Sequence, residues 1–242
     1  DYSKGAFPQE ITNCAKCHAG GAQSTNWYAV PSIESCGSCH DDVNFTTGTN
    51  HAGGIKNNTQ CGNCHNATAT TLENPQYAMR QDKILTEGNR WALVINSATY
   101  NSTAGTVTVN FQANLDGAPT DLAGTPWIQG SASRLAVSIG WKAEGKADYT
   151  NDGAANTTTP GAPLNINVVN SGKLDAGVTA KGGNVYEVTG TLPTDGKAAA
   201  YGVAMLDGHP AVQLITLTPA PSTGQVFDRI PALGAFKEFK IG

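Results

Sequence analysis

Cys14-Ala15-Lys16-Cys17-His18, Cys36-Gly37-Ser38-Cys39-His40 and Cys61-Gly62-Asn63-Cys64-His65 repeat one pattern three times, and together they use all six cysteines of the chain. Cys-x-x-Cys-His is the attachment signal for c-type haem. Its two thiols add across the porphyrin vinyl groups, and the adjacent imidazole reaches the iron from one face. Two residues between the cysteines make one tight turn, so both sulfurs and the imidazole converge on a single macrocycle.

Two other readings use the same cysteines. Two Cys-x-x-Cys pairs, Cys14/Cys17 and Cys36/Cys39, also suit a tetrahedral structural zinc. Six cysteines in an exported protein could instead form three disulfides. The residue after each pair decides between them. Only five of the 242 residues are histidine, so composition alone puts His at a given position roughly 2% of the time. Three such positions in succession arise by accident on the order of once in a hundred thousand. Neither zinc nor disulfides need that pattern, and covalent haem does. The expected cofactor is three c-type haems.

Working outward, residues 1–83 carry the motifs amid Asn, Gly, Thr, Gln and Pro. Phe7, Ile11, Trp27, Tyr28, Val30, Ile33, Val43, Phe45 and Ile55 follow no sustained helical or strand period. A segment this poor in apolar side chains does not ordinarily fold on protein contacts alone. Three porphyrins would supply the missing apolar surface, so the expectation is an irregular, haem-packed module over 1–83.

From about residue 84 the pattern changes. Val107, Val109, Phe111, Ala113 and Leu115 alternate with Thr106, Thr108, Asn110, Gln112 and Asn114, the two-residue period of a half-buried strand. Leu135, Val137, Ile139 and Trp141 alternate in the same way. Further strands are expected at Trp91–Ile95, Leu164–Val169, Val185–Leu192, Ala199–Leu206, Val212–Leu217 and Ala235–Ile241. Asp116-Gly117, Glu144-Gly145, Asn151-Asp152-Gly153, Lys181-Gly182-Gly183 and Asp195-Gly196 mark turns between them, and Asn151–Pro163 reads as an exposed loop. The expected fold is mainly β: a three-haem module over 1–83, then an antiparallel Greek-key sandwich or split-barrel domain over 84–242.

Composition narrows the partners. Hydrophobic content is 39% and charged content 14%, with a formal net charge of −4. No basic run is present, which argues against nucleic acid and anionic membranes. No stretch of apolar residues is long enough to span a bilayer as a helix. Covalent haem attachment takes place outside the cytoplasm, so removal of a leader ahead of Asp1 is expected.

The histidines set a ligand count. His18, His40 and His65 are the proximal ligands of the three motifs. Six-coordinate irons would need three more, and two histidines remain, His51 and His209. His51 lies in Asn50-His51-Ala52-Gly53-Gly54, between the second and third motifs. His209 lies in Asp207-Gly208-His209-Pro210, read as a turn between two strands; as a ligand it would tie the β domain to the haem module. One position is left without a histidine. Met/His ligation occurs in c-type cytochromes, and Met79, just after the haem segment, is the candidate. Met205 shares a face with Tyr201 and Val203 and is expected in the core. The amino terminus, a histidine from another chain, a residue upstream of Asp1 and an open iron are the other possibilities.

The run Phe7-Pro8-Gln9 through His18, then Cys36 to Asp42, Gly48-Thr49-Asn50-His51-Ala52-Gly53-Gly54 and Cys61 to His65 resembles the outer-membrane decahaem cytochromes of the OmcA/MtrC type. In that family haem modules alternate with Greek-key split-barrel domains. The resemblance implies that His51 is a distal ligand and that the chain passes electrons at the cell surface. Its partners would be other multihaem cytochromes or copies of itself, and external acceptors such as metal oxides or soluble shuttles. Family members carry about ten haems on a much longer chain, and the three motifs here mark a departure. A short member could reach the length of a wire by end-to-end assembly into a cytochrome filament. The expected function is therefore extracellular or cell-surface electron transfer, without catalysis. The alternative is a haem enzyme reducing a small oxidant at a five-coordinate iron.

Overall fold

A computed structural model describes residues 20–38, 40–54, 57–66, 68, 74–78, 80–149 and 161–242. The chain divides into two compact units, Asp1–Lys83 with Leu214–Val226, and Ile84–Gln213 with Phe227–Gly242. No helix among the described residues is long and apolar enough to cross a membrane.

The first unit contains short helices: α1 (Asn26–Ala29), α2 (Ile33–Gly37), α3 (Asn58–Cys64) and α4 (Pro75–Ala78), with the division falling inside α5 (Gln81–Gly88). Each of the first four is too short for an amphipathic stripe, which is why no helical period shows in the sequence. Side chains that cap the ends hold two of them. Ser32 accepts from the Ser35 N–H at the start of α2. Asn57 and Gln60 form a reciprocal capping box on α3, each side chain satisfying a backbone N–H that a helix start leaves unpaired. The segment 214–226 joins this unit through an amide pair. Gln76 donates Nε2–H to the Thr218 carbonyl at 3.0 Å, and its Oε1 accepts from the Thr218 N–H at 3.2 Å.

The second unit is built on two antiparallel sheets packed face to face. The first has the order β1 (Trp91–Asn101), β2 (Thr106–Leu115), β8 (Val185–Thr191), β7 (Thr179–Gly182), with β3 (Ala118–Pro119) also on β2. The second runs β12 (Ala235–Lys240), β9 (Tyr201–His209), β4 (Arg134–Lys142), β5 (Leu164–Asn170), β6 (Lys173–Leu174). A small ribbon pairs β10 (Ala211–Val212) with β11 (Asp228–Arg229). The core is the set of alternate residues these strands turn inward: Leu93, Val107, Val109, Phe111, Val137, Ile139, Val188 and Leu206 are all buried. Trp91 and Trp127 meet edge to face at 5.3 Å, and Tyr186 accepts the Leu122 N–H and donates to Asp121. Two tight hairpins, Asp116-Gly117 and Ser171-Gly172, place both central residues at positive φ. This is the turn whose twist matches antiparallel strands, and glycine fits it without strain.

The mainly β expectation and the strands at Trp91, Thr106, Arg134, Leu164, Val185, Tyr201 and Ala235 are present. The strand expected at Val212–Leu217 is not. Pairing stops after Val212, and the chain leaves for the other unit, where Leu217 is buried at 1% exposure. Apolar composition marked burial there, but the segment Leu214–Val226 is grouped with the first unit rather than with the sheets. Most of the expected loop Asn151–Pro163 lies outside the described residues; residues 161–163 are exposed coil.

Met205 also differs from expectation. It does share a face with Val203 and Tyr201, but that is the outer face of the second sheet, where Met205 is 38% and Phe236 76% exposed. Alternation separates two faces without saying which one is covered.

Glycine at position 208 is a close-approach site. It faces Leu135 across the β4–β9 pair, and a Cβ there would overlap the Arg134 carbonyl oxygen and lie 2.7 Å from the Leu135 Cα. Backbone cannot move aside as a flexible side chain can. Gly208→Ala is expected to destabilise the β unit by about 1–3 kcal/mol, read as a lower denaturation midpoint with an unchanged slope. A midpoint at the wild-type value would show that the strand pair relaxes freely.

Candidate metal centre

The third motif is described in full and the second apart from Cys39, and the two close the same backbone turn. The backbone N–H of His40 donates to the Cys36 carbonyl at 2.9 Å, and that of His65 to the Cys61 carbonyl at 2.9 Å. Each motif is therefore one closed helical turn that gathers its first cysteine and its histidine. In the third motif α3 ends on Cys64, with His65 at its C-cap. Cys61 is half-buried and Cys64 exposed, and neither is in a disulfide. Cys14, Cys17 and His18 of the first motif, Cys39 of the second, and Met79 lie outside the described residues.

One side chain joins the second and third motif helices. Asn58, at the start of α3, accepts the Ile33 N–H through Oδ1 at 2.8 Å and donates Nδ2–H to Glu34 Oε2 at 2.8 Å. It thus serves the N-terminus of α2, whose first backbone N–H has no intrahelical partner. The backbone N–H of Glu34 and then the Asn58 amide hold the Glu34 carboxyl below the usual range.

The loop between these motifs brings His51 to His65. Their ring centroids are 6.4 Å apart and the planes differ by 30°. His51 Nδ1 lies 2.7 Å from the Gly54 carbonyl oxygen, and Phe45 meets the His51 ring edge to face at 5.3 Å. The loop is folded on itself by backbone bonds, His51 N–H to Gly48 and Gly54 N–H to His51. Gly54 has φ +69°, a conformation that glycine adopts readily.

His209 belongs to the β unit. It is the last residue of β9, opposite Arg134, rather than in a turn. Its Nδ1 is buried without a hydrogen-bond partner. Burial first, then the positive charges of Arg229 and Arg134, push its imidazole pKa below the ordinary value.

The residues fit covalent haem on two observations. In the second and third motifs one backbone turn brings the histidine back over the first cysteine, histidine N–H to cysteine carbonyl at 2.9 Å, as the attachment motif requires. The described residues of the first unit also bury little apolar surface: their buried apolar side chains are Tyr28 and Leu217, beside Pro31 and Pro221. Among the described residues, no group of three or more His, Cys, Asp and Glu converges to hold an ion by itself.

Sequence reading had located His51 but not what sets it. The Gly54 carbonyl and the edge of Phe45 carry no motif. The Asn57-x-x-Gln60 capping box was legible as a helix start, and it would have placed Cys61, Cys64 and His65 on one short helix.

No family model and no curated protein matches the chain. Among solved structures, MtrC from Shewanella baltica is similar at 18% identity and TM-score 0.47, over 94% of this chain and 36% of that one. The outer-membrane decaheme cytochrome OmcA is similar at 17% identity and TM-score 0.25, over 63% and 22%. A penta-heme cytochrome c552 from Thermochromatium tepidum is similar at 15% identity and TM-score 0.27, over 87% and 56%. A DUF3823 family protein from Bacteroides ovatus is similar at 8% identity and TM-score 0.26, over 59% and 53%. The chain spans about a third of the length of MtrC, and likeness at this level carries no functional argument.

Proposed function

We propose that the chain transfers electrons outside the cytoplasm through three covalent c-type haems. Cys14, Cys17 and His18 would hold one, Cys36, Cys39 and His40 a second, and Cys61, Cys64 and His65 a third. One observation carries this reading. All six cysteines fall in three Cys-x-x-Cys-His motifs, and the two with described geometry close the same turn, histidine N–H to first-cysteine carbonyl.

When bound, the haems supply one-electron exchange at iron without bonds made or broken on a substrate. The chain's own part is positional. The motif turns at Cys36–His40 and Cys61–His65 would set their proximal imidazoles, and Asn58 ties the second motif helix to the third. Short helices and loops would wrap the macrocycles, which become the core of a unit with little apolar side chain of its own. The β unit would present its exposed sheet face to a neighbouring cytochrome, to another copy in a filament, or to an external acceptor such as a metal oxide or soluble shuttle. The setting would be the cell surface or the extracellular space.

Intact mass of the natively produced, denatured protein tests the cofactor, and is expected to show three covalent haem additions. Unmodified mass with bound zinc would overturn the reading. Low-temperature electron paramagnetic resonance of the oxidised protein then separates wire from enzyme. Five histidines for six axial positions leave one iron to another ligand. Low-spin signal from all three irons is the expected result. A high-spin share of about a third would mark one open iron, turning the reading to reduction of a small oxidant.

A further inference from the structure

The geometry points to His51 as the distal ligand of the haem on Cys61 and Cys64, facing His65 across the same iron, with its ring set by the Gly54 carbonyl. This rests on the haem reading above and goes beyond it, because the sequence does not say which iron His51 serves.

Three features of the loop converge on that pairing. The first is chemical. A carbonyl oxygen can only accept, so the Nδ1 of His51, 2.7 Å from the Gly54 oxygen, carries the ring proton. Nε2 is then the nitrogen with the lone pair. Metal-binding histidines commonly donate their other ring N–H to a backbone carbonyl, which fixes tautomer and orientation.

The second is distance. With metal–nitrogen bonds of about 2.0–2.1 Å and each nitrogen aimed at the ion, two imidazoles on opposite sides of it have centroids roughly 6.2–6.5 Å apart. The His51 and His65 centroids are 6.4 Å apart. Aromatic pairs in general span about 4.5–7 Å, so the separation would say little without the fixed lone pair.

The third is support. Phe45 lies edge-on to the His51 ring, and the Gly48–His51 and His51–Gly54 backbone bonds close the loop on both sides of it. Opposite, His65 is held by its own N–H to Cys61. Both rings are therefore placed by local backbone, fourteen residues apart in sequence, within one unit.

The test uses the native three-haem protein, reduced so that low-spin irons are diamagnetic. Proton NMR identifies each haem by the contacts of its thioether substituents with the cysteine β-protons. The expected result is that the ring protons of His51 and His65, both shifted far upfield, show contacts to the meso protons of one haem, the one bonded to Cys61 and Cys64. Contacts from His51 to either of the other haems, or an unshifted His51 ring, would overturn the pairing while leaving the haem reading intact. Failure of the haem reading itself would look different: no haem resonances and no covalent mass addition. A second arm replaces the ligand. His51→Ala in the full chain is expected to make about a third of the ferric signal high-spin. In a Cys61→Ala/Cys64→Ala chain, the same change is expected to leave the two remaining haems unaltered. A new high-spin signal in that background would assign His51 to another iron.

Discussion

Replacing all six cysteines with alanine is expected to abolish the fold of the first unit and leave the β unit standing. The reason is the distribution of buried apolar surface. Tyr28 and Leu217 are the fully buried apolar side chains among the described residues of the first unit, apart from two prolines. Burial of such a side chain contributes about 1.5–3 kcal/mol, against roughly 1–2 kcal/mol for ordering the backbone of each residue. Three porphyrins would close that gap, and without the thioether bonds they would no longer be covalently held. Hydrogen exchange checks this segment by segment. Amides of 33–37 and 58–64 should exchange as in an unfolded chain, while those of 106–115, 134–142 and 201–209 keep wild-type protection. Retained protection over 58–64 in the cysteine-free chain would show that capping and loop hydrogen bonds suffice, and that the cofactor is not the core.

Phe111→Ala should cost the β unit about 3–5 kcal/mol. Phe111 is fully buried in the middle of β2, opposite Ile95 on one neighbouring strand and Tyr186 on the other. Its ring stacks 6.3 Å from that of Tyr186. The loss would therefore combine the cavity with loosening of Tyr186, whose hydroxyl holds Asp121 and the Leu122 N–H. The measurement is the protection of the slowest-exchanging amides of β2 and β4, which report opening of the whole unit. Phe236→Ala is the control. That ring is 76% exposed, and a change within about 0.5 kcal/mol is expected. If the two substitutions cost the same, the assignment of inner and outer faces would be wrong.

How much of this was legible depended on whether the signal was local. The motifs are local: cysteine and histidine types at fixed spacing state the chemistry, and the closed turns at Cys36–His40 and Cys61–His65 follow from that spacing. Strand alternation is local too, so Thr106–Leu115 and Arg134–Lys142 stand where their pattern puts them. The short helices of the first unit were missed as elements because four to seven residues cannot display a helical period.

By itself, then, the sequence determined the three Cys-x-x-Cys-His spacings on which the haem reading rests, the mainly β second half and the alternation within its strands. Tertiary structure alone decided which face of each strand is covered, and so left Met205 and Phe236 in the open. It took Leu217 out of the β sheets and into the segment grouped with the first unit. It also brought His51 to within one imidazole pair of His65, with the Gly54 carbonyl choosing the tautomer. The physical reason is common to all three. Periodicity and spacing are properties of a few adjacent residues, whereas burial, packing and ligand pairing depend on residues the chain brings together from a distance.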